Sequence, residues 1–242
     1  MKKYAVISCL GDLGGAQWHE RMISAFAQSG QTWEVIRPAA AGFIEKAFEY
    51  SGHVISGGPM SVVDDAGQPA MKNLLAFVRA AAQRGNVPVV GLCLGAQIIA
   101  VALGGTVGKN PSGRFKLGVD RLQWRPQARA LLGEPIDTAA ATLLVQSHGE
   151  CVLTLPAGAV ALASSRTIAH EVFLIQGQFL GIQGHPEADI ETLRKTFMVY
   201  HRARFNEAQW TIVEQEAQQI PDPSRVIALG RRLLNAGRLP AT

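Results

Sequence analysis

Cys93 is the residue best placed in this sequence to act as a nucleophile. It lies at the centre of a Gly-x-Cys-x-Gly stretch at 91–95, between an apolar run at 87–90 and a helical pattern at 96–103. A tight turn from strand to helix with flanking glycines is typical of a nucleophile elbow. The N-terminus of the following helix favours thiolate, the reactive form of cysteine. The alternative is a buried core cysteine, so a partner base is needed to support a catalytic role.

A candidate base lies much further along the chain, at His185. Glu187 follows it two residues later, and both come after a predicted strand at 179–183. Residues two apart in an extended segment project to the same side, so the carboxylate can orient the imidazole toward a nucleophile. A solvated His-x-Glu loop is the alternative. The position at the carboxyl end of a strand, on the same edge as Cys93, favours a Cys-His-Glu triad.

A glycine pair between Ser56 and Pro59 is a third candidate part of the site. It follows a predicted strand at 53–56. Glycine lets a substrate approach closely, so a backbone N–H here is a candidate donor to a developing oxyanion, with the N–H of Leu94 as the second. The alternative is a plain Gly-Pro turn. The stretch has no Lys-Ser/Thr pair, so a phosphate-binding loop is not expected.

Alternating strands and helices are predicted to position these residues. The first half of the chain has strands at 4–9, 33–36, 53–56 and 87–90, helices at 17–28, 43–50, 69–84 and 96–103, and a glycine-rich loop at 11–15. This alternation predicts an α/β fold with a doubly wound, mostly parallel sheet, in which ligands bind beyond the carboxyl ends of the strands.

The pattern changes after residue 104 to short strand candidates, several of them antiparallel or at an edge. They lie at 115–124, 143–146, 159–163, 172–175 and 179–183, and helices follow at 190–203, 207–219 and 225–234. We therefore predict one domain over 1–190 and a C-terminal helical extension, 191–242, packed on the same domain.

The composition excludes several classes of protein. The 242 residues are 48% hydrophobic and 17% charged with a formal net charge of +4, and no basic block indicates nucleic-acid binding. No apolar stretch approaches the roughly 18 residues of a membrane-spanning helix. The widely spaced Cys9, Cys93 and Cys151 indicate neither a disulfide framework nor a metal site. We expect a cytoplasmic protein with no metal and no cofactor.

Four motifs occur in a recognisable order. They are Ser-Gly-Gly-Pro at 56–59, Gly-Leu-Cys-Leu-Gly-Ala-Gln at 91–97, Gln-Ser-His-Gly-Glu at 146–150 and Gly-His-Pro-Glu at 184–187. Over about residues 1–190 the chain resembles the class I (triad-type) glutamine amidotransferases, in particular the stand-alone branch similar to the glutaminase domain of GMP synthase. The resemblance implies a flavodoxin-like sheet.

The resemblance also implies a role for each matched residue. Cys93 would attack the side-chain amide of glutamine to form a thioester, with His185 as base and then acid, and Glu187 orienting it. The N–H groups of Gly58 and Leu94 would hold the oxyanion. The substrate pocket would be lined by Gly57, Gln97, Ser147, His148 and Gly149, with His148 as an alternative second base.

One position departs from the family pattern. The family often has a glutamate before the Leu/Ile-Gly that follows the nucleophile helix, and this chain has Lys116 there. The absence of the usual acidic residue changes the expected ion pairing near the site.

Three functions are compatible with these motifs. The first is a glutaminase that hydrolyses glutamine and supplies ammonia to a synthetase on a separate polypeptide. The second is a stand-alone hydrolase of γ-glutamyl peptides or amides, and the third is a non-catalytic binding protein, against which an intact triad argues. The C-terminal helices would cover the sheet, or dock a partner or a second copy in a homo-oligomer.

Overall fold

A nine-stranded mixed sheet forms the centre of the molecule in the computed structural model, which describes residues 1–11, 15–132 and 141–240. The strands are β1 (Lys2–Ile7), β2 (Gln31–Ile36), β3 (His53–Ile55), β4 (Val89–Leu92), β5 (Thr106–Lys109), β6 (Lys116–Trp124), β7 (Thr142–His148), β8 (Glu150–Thr154), β9 (Val160–Ser164), β10 (Val172–Ile175) and β11 (Phe179–Ile182). The order in the sheet is β2-β1-β3-β4-β11-β10-β9-β6-β7, and β5 pairs with β8 in a separate ribbon.

The parallel half of the sheet holds the strands that carry the motifs. The pairings of β1 with β2 and β3, of β3 with β4, and of β4 with β11 are all parallel. Every residue of β3, β4 and β11 is buried, as expected of parallel strands covered on both faces. Because these strands point the same way, the segments that follow β3, β4 and β11 meet at one edge.

Helices cover both faces of this sheet, which confirms the predicted α/β fold class. They are α1 (Ala16–Phe26), α2 (Phe43–Ala47), α3 (Pro69–Arg84), α4 (Leu94–Ala102), α5 (Arg129–Leu132), α6 (Ile190–Thr192), α7 (Met198–His201), α8 (Glu207–Glu216) and α9 (Ser224–Ala236). Buried residues of α2, α3 and α4 share one core, and those of α1 and α9 share the core on the opposite face. No helix within the described ranges is both long and apolar enough to cross a membrane.

The antiparallel half adds β10, β9, β6 and β7 beyond β11. Helix α8 and the segment around residue 193 pack against β6 and β7 through a small third core that includes Leu117, Val145, Leu193 and Val213.

The sequence analysis did not predict the two-stranded ribbon that β5 and β8 form. The predicted boundary at residue 190, between the domain and its C-terminal helical extension, stays a prediction. Residues 12–14 of the predicted glycine-rich loop lie outside the described residues.

The helix predicted over 190–203 is interrupted in the structure. A π-helical turn, Leu193–Phe197, separates α6 from α7, and a 3₁₀ turn, Arg202–Arg204, ends the segment. Single π-helical turns occur often at functional sites because they redirect side chains that a regular helix would place elsewhere. Here the turn ends at Phe197, beside His185.

Candidate active site

Cys93 lies at a tight turn between β4 and α4. Its backbone has φ 51° and ψ −106°, a strained conformation for a residue with a side chain. The turn requires its two glycines, since a Cβ on Gly95 would lie 2.3 Å from the carbonyl oxygen of Ile55 and one on Gly91 would lie 2.5 Å from Gly95. The predicted strand–turn–helix geometry is therefore present around the cysteine.

His185 and Glu187 reach the same edge because β11 lies next to β4. The backbone N–H of His185 donates to the carbonyl oxygen of Val145 at 2.8 Å, which fixes the segment against β7. The Nδ1 atom of His185 lies 2.8 Å from Oε1 of Glu187. Cys93 lines the same pocket as these two residues, so the predicted nucleophile, base and orienting carboxylate lie around one cavity.

The charge state of His185 follows from these neighbours. Burial lowers the pKa of the imidazole, but the carboxylate of Glu187 and the sulfur of Cys93 outweigh burial and hold the pKa well above its ordinary value of 6.5. These contacts favour the protonated, imidazolium form of His185.

This raised pKa predicts a dependence of stability on pH. A group whose pKa is higher in the folded state stabilises the fold fully below its unfolded pKa, about 6.5 for histidine, and that contribution is lost as the pH rises through the folded pKa. We expect the difference in unfolding free energy between wild type and His185→Asn to shrink as the pH rises from 6 toward 10. Urea unfolding of both proteins across this range measures it, and a difference that stays constant would contradict the ion pair.

The two glycines after β3 lie against the triad. A Cβ on Gly57 would lie 2.9 Å from Cε1 of His185, and one on Gly58 would lie 2.4 Å from the carbonyl oxygen of Cys9. Both glycines line the pocket above Cys93. Leu94 is the first residue of α4, so its N–H has no acceptor inside the helix. These positions suit the two oxyanion donors that the sequence predicts.

Of the four other residues predicted to line the substrate pocket, the structure brings only Ser147 into it. The side-chain amide of Gln97 donates to the carbonyl oxygen of Glu150 at 2.9 Å. Gly149 packs against Phe115 instead: a Cβ built on Gly149 would lie 3.2 Å from that ring.

His148 also lies behind the pocket rather than in it. Its Nδ1 lies 2.9 Å from the carbonyl oxygen of Glu150, and its Nε2 lies 3.1 Å from Oε1 of Gln146. Burial, together with the charges of Lys116 and His185, lowers the pKa of His148 to about 3. A buried imidazole with so low a pKa, facing Gln146 and Glu150 instead of the pocket, is poorly placed to act as a second base.

Sequence reasoning missed the aromatic wall of the pocket. The cavity above Cys93 has a volume of about 250 Å³, and Trp18 of α1, Phe197 and Tyr200 line one side of it. Trp18 stacks on Phe197 with ring centroids 5.4 Å apart, and Phe197 lies 5.0 Å from the ring of His185. No motif marks these residues, because only the π-helical turn and the packing of α1 bring them over the site.

Lys116, the departure from the family pattern, forms a buried ion pair. Its Nζ lies 2.8 Å from Oε1 of the fully buried Glu171, 2.5 Å from Asp120 and 2.7 Å from the hydroxyl of Ser165. Burial lowers the pKa of Lys116, but Glu171 and Asp120 outweigh it and raise the pKa. Gln146 also donates to Glu171, at 3.2 Å, so this pair supports the strand that ends at His148.

Removal of the Lys116 ammonium is expected to destabilise the fold. Lys116→Met leaves the carboxylate of Glu171 buried without its cation, which typically costs about 3–5 kcal/mol. Chemical denaturation should show this loss, and the double variant Lys116→Met/Glu171→Gln should recover much of it. A single variant as stable as the wild type would contradict the importance of this pair.

The amino-acid sequence of this chain matches one protein family and is similar to several of its relatives. The family model for class-I glutamine amidotransferases matches residues 13–203. The chain is 27% identical over 209 residues to gamma-glutamyl peptidase 3 of Arabidopsis thaliana, covering 85% of this chain and 82% of that protein. It is 31% identical over 189 residues to the glutamine-hydrolyzing GMP synthase of Leifsonia xyli subsp. xyli, covering 76% of this chain but only 35% of that synthase.

Solved structures agree with these sequence matches. The crystal structure of a glutamine amido transferase from Methylobacillus flagellatus superposes with a TM-score of 0.70 at 25% identity, covering 100% of this chain and 96% of that one. A glutamine amidotransferase from Thermotoga maritima, at 19% identity and a TM-score of 0.65, shares the fold. Within the described ranges, no three His, Cys, Asp or Glu side chains are grouped as a metal site requires.

Proposed function

Because the chain belongs to the class I glutamine amidotransferase family, we propose that it hydrolyses γ-glutamyl amide bonds through a thioester on Cys93. The observation that carries this proposal is the placement of Cys93, His185 and Glu187 in one pocket, with the imidazole 2.8 Å from the carboxylate. A binding protein on the same fold does not need a cysteine, an imidazole and a carboxylate together in its pocket.

The reaction follows from the placement of these groups. The Cys93 thiolate adds to the γ-carbonyl carbon, and the oxyanion that forms accepts hydrogen bonds from the N–H groups of Gly58 and Leu94. The imidazolium of His185 gives its proton to the departing amine as the C–N bond breaks and the thioester forms. His185 then takes a proton from water, which attacks the thioester, releasing glutamate and restoring the thiolate.

The pocket favours a leaving amine larger than ammonia. Aromatic side chains from α1 and the segment 193–204 provide apolar contact area beside the sulfur, which ammonia cannot use. The match to gamma-glutamyl peptidase 3 runs over most of that protein, whereas the chain spans about a third of the GMP synthase. We therefore propose a hydrolase of γ-glutamyl peptides or related amides.

An ammonia-supplying glutaminase subunit is the second candidate. It is favoured by the match to the synthase and by Val199 and Tyr200, which are 71% and 66% exposed next to the pocket and would suit cover by a partner. The two functions share every step up to the thioester. They differ in the leaving group that the pocket accepts.

The deciding experiment measures glutamate release from glutamine and from γ-glutamyl dipeptides with apolar second residues. We expect kcat/KM to be higher for the dipeptides, and truncation of the Tyr200 ring in Tyr200→Ala to lower kcat/KM for dipeptides more than for glutamine. The adjacent exposed residue provides a matched control, since Val199→Ala does not alter the lining of the pocket. Turnover of glutamine alone would support the glutaminase subunit instead.

A further inference from the structure

A second cavity, of about 450 Å³, lies outside the catalytic pocket. The loop before β6, the turn at 166–167 and one face of α8 enclose it. Its apolar wall consists of Phe115, Leu117, Phe205, Ile212 and Val213. Sites for small molecules typically have volumes of about 300–1,000 Å³ with largely apolar walls and a few polar groups, so this cavity is large enough for a ligand.

The cavity carries an excess of positive charge. Its charged lining residues are Arg114, Lys116, Arg166, Arg204, Asp120 and Glu216. Asp120 is paired with Lys116 at 2.5 Å, and Glu216 lies 3.8 Å from Arg166. Neither Arg114 nor Arg204 forms an ion pair with a carboxylate of the described residues. Two guanidinium groups are thus left without counter-charge at the cavity.

Both unmatched arginines line the cavity, and Arg204 is held in place by its neighbours. The guanidinium of Arg204 lies 5.1 Å from the ring centroid of Phe115, and its Nε donates to Nδ1 of His201 at 3.1 Å. These contacts fix the group while the terminal nitrogens stay available. Arg114 directly precedes Phe115 in the chain.

Two acidic residues, Asp120 and Glu216, also line the cavity. Glu216 packs against the backbone of β6 at Gly118, where an added Cβ would meet its carboxylate oxygen at 2.6 Å. Burial, and then the nearby Asp120, raises the pKa of Glu216. The carboxylates of Asp120 and Glu216 are thus engaged by Lys116 and Arg166, whereas Arg114 and Arg204 have no carboxylate partner among the described residues.

We propose that this cavity binds a small organic anion, with a carboxylate or phosphate held by Arg114 and Arg204 and an apolar body against Phe205 and Ile212. The planar guanidinium group has paired donors that match the oxygens of both kinds of anion. The site is separate from the chemistry at Cys93, so it stands whether or not the hydrolase function is correct.

Isothermal titration tests the site with two probes, phenyl phosphate and benzoate, added to protein alkylated at Cys93 so that the catalytic pocket is blocked. We expect saturable binding of at least one probe and none of benzyl alcohol. Arg114→Gln and Arg204→Gln should each weaken binding about tenfold or more, because each removes a charge-assisted contact. Ile212→Trp should weaken it by filling the cavity.

Arg129→Gln provides the matched control, since Arg129 is exposed on α5 and does not line the cavity. Among the described residues the Arg114 side chain forms no hydrogen bond or ion pair, so its replacement tests the site without disturbing the fold. Absence of saturable binding of both anions would overturn the proposal. So would binding that persists unchanged in Arg114→Gln and Arg204→Gln.

Discussion

Replacement of Cys93 by alanine is expected to abolish glutamate release from every γ-glutamyl substrate while leaving the protein folded. Without the sulfur no thioester can form. The change removes one buried atom, so the free energy of unfolding should change by no more than about 1 kcal/mol. Glutamate release and thermal unfolding, measured on the same preparation, check both parts.

Cys151→Ala is the matched control for this variant. Burial raises the pKa of the Cys151 thiol to about 11 and that of Cys9 to about 12, so neither is a thiolate at neutral pH. A glutamine-mimicking electrophile should therefore label the wild type and Cys151→Ala equally, and leave Cys93→Ala unlabelled. Wild-type turnover by Cys93→Ala would rule out the proposed mechanism.

The second large effect is expected when His185, the proposed base, is replaced by asparagine. Asparagine at position 185 retains a polar side chain of similar reach but cannot exchange a proton near neutral pH. Thioester formation should slow by about 10²–10⁴-fold, the usual contribution of a positioned acid–base group. The rate of Cys93 labelling by the same electrophile, followed by mass spectrometry, isolates this step from later hydrolysis.

His170→Asn serves as the control, because His170 lies before β10 and does not line the catalytic pocket. In His170→Asn, the electrophile should label Cys93 at the wild-type rate. If it also labels Cys93 at that rate in His185→Asn, the imidazole does not activate the cysteine and the role of His185 is only structural.

The sequence predicts the positions of the main catalytic candidates because they depend on local rules. Glycines on both sides of Cys93 are readable in the sequence, and their close contacts show why no larger residue fits. Helix α3 was predicted with its observed bounds, since Pro69 begins it and Gly85 ends it in a left-handed conformation. The shared edge of Cys93 and His185 follows from the parallel pairing of β4 with β11.

Other features depend on contacts that no local pattern encodes. Gln97 carries a family motif, yet its amide is committed to the carbonyl oxygen of Glu150 on the β8 strand, which was not predicted. Phe197 reaches His185 only because a π-helical turn interrupts a stretch whose composition favours a regular helix. The partner of Lys116 could not be foreseen either, since Glu171 lies in a different strand region far along the chain.

The insertion of β11 between β4 and β10 has a consequence for biosynthesis. When a ribosome has completed α4, Cys93 already stands at its turn, but its strand still lacks the neighbour that carries His185. About a third of the chain must be translated before that neighbour arrives. Until then the thiol lacks the imidazole that we propose as its base, so we expect the nascent polypeptide to be inert toward substrate. Over the same interval the open edge of β4 is where non-native strand pairing would begin, so this edge is the segment most in need of chaperone protection.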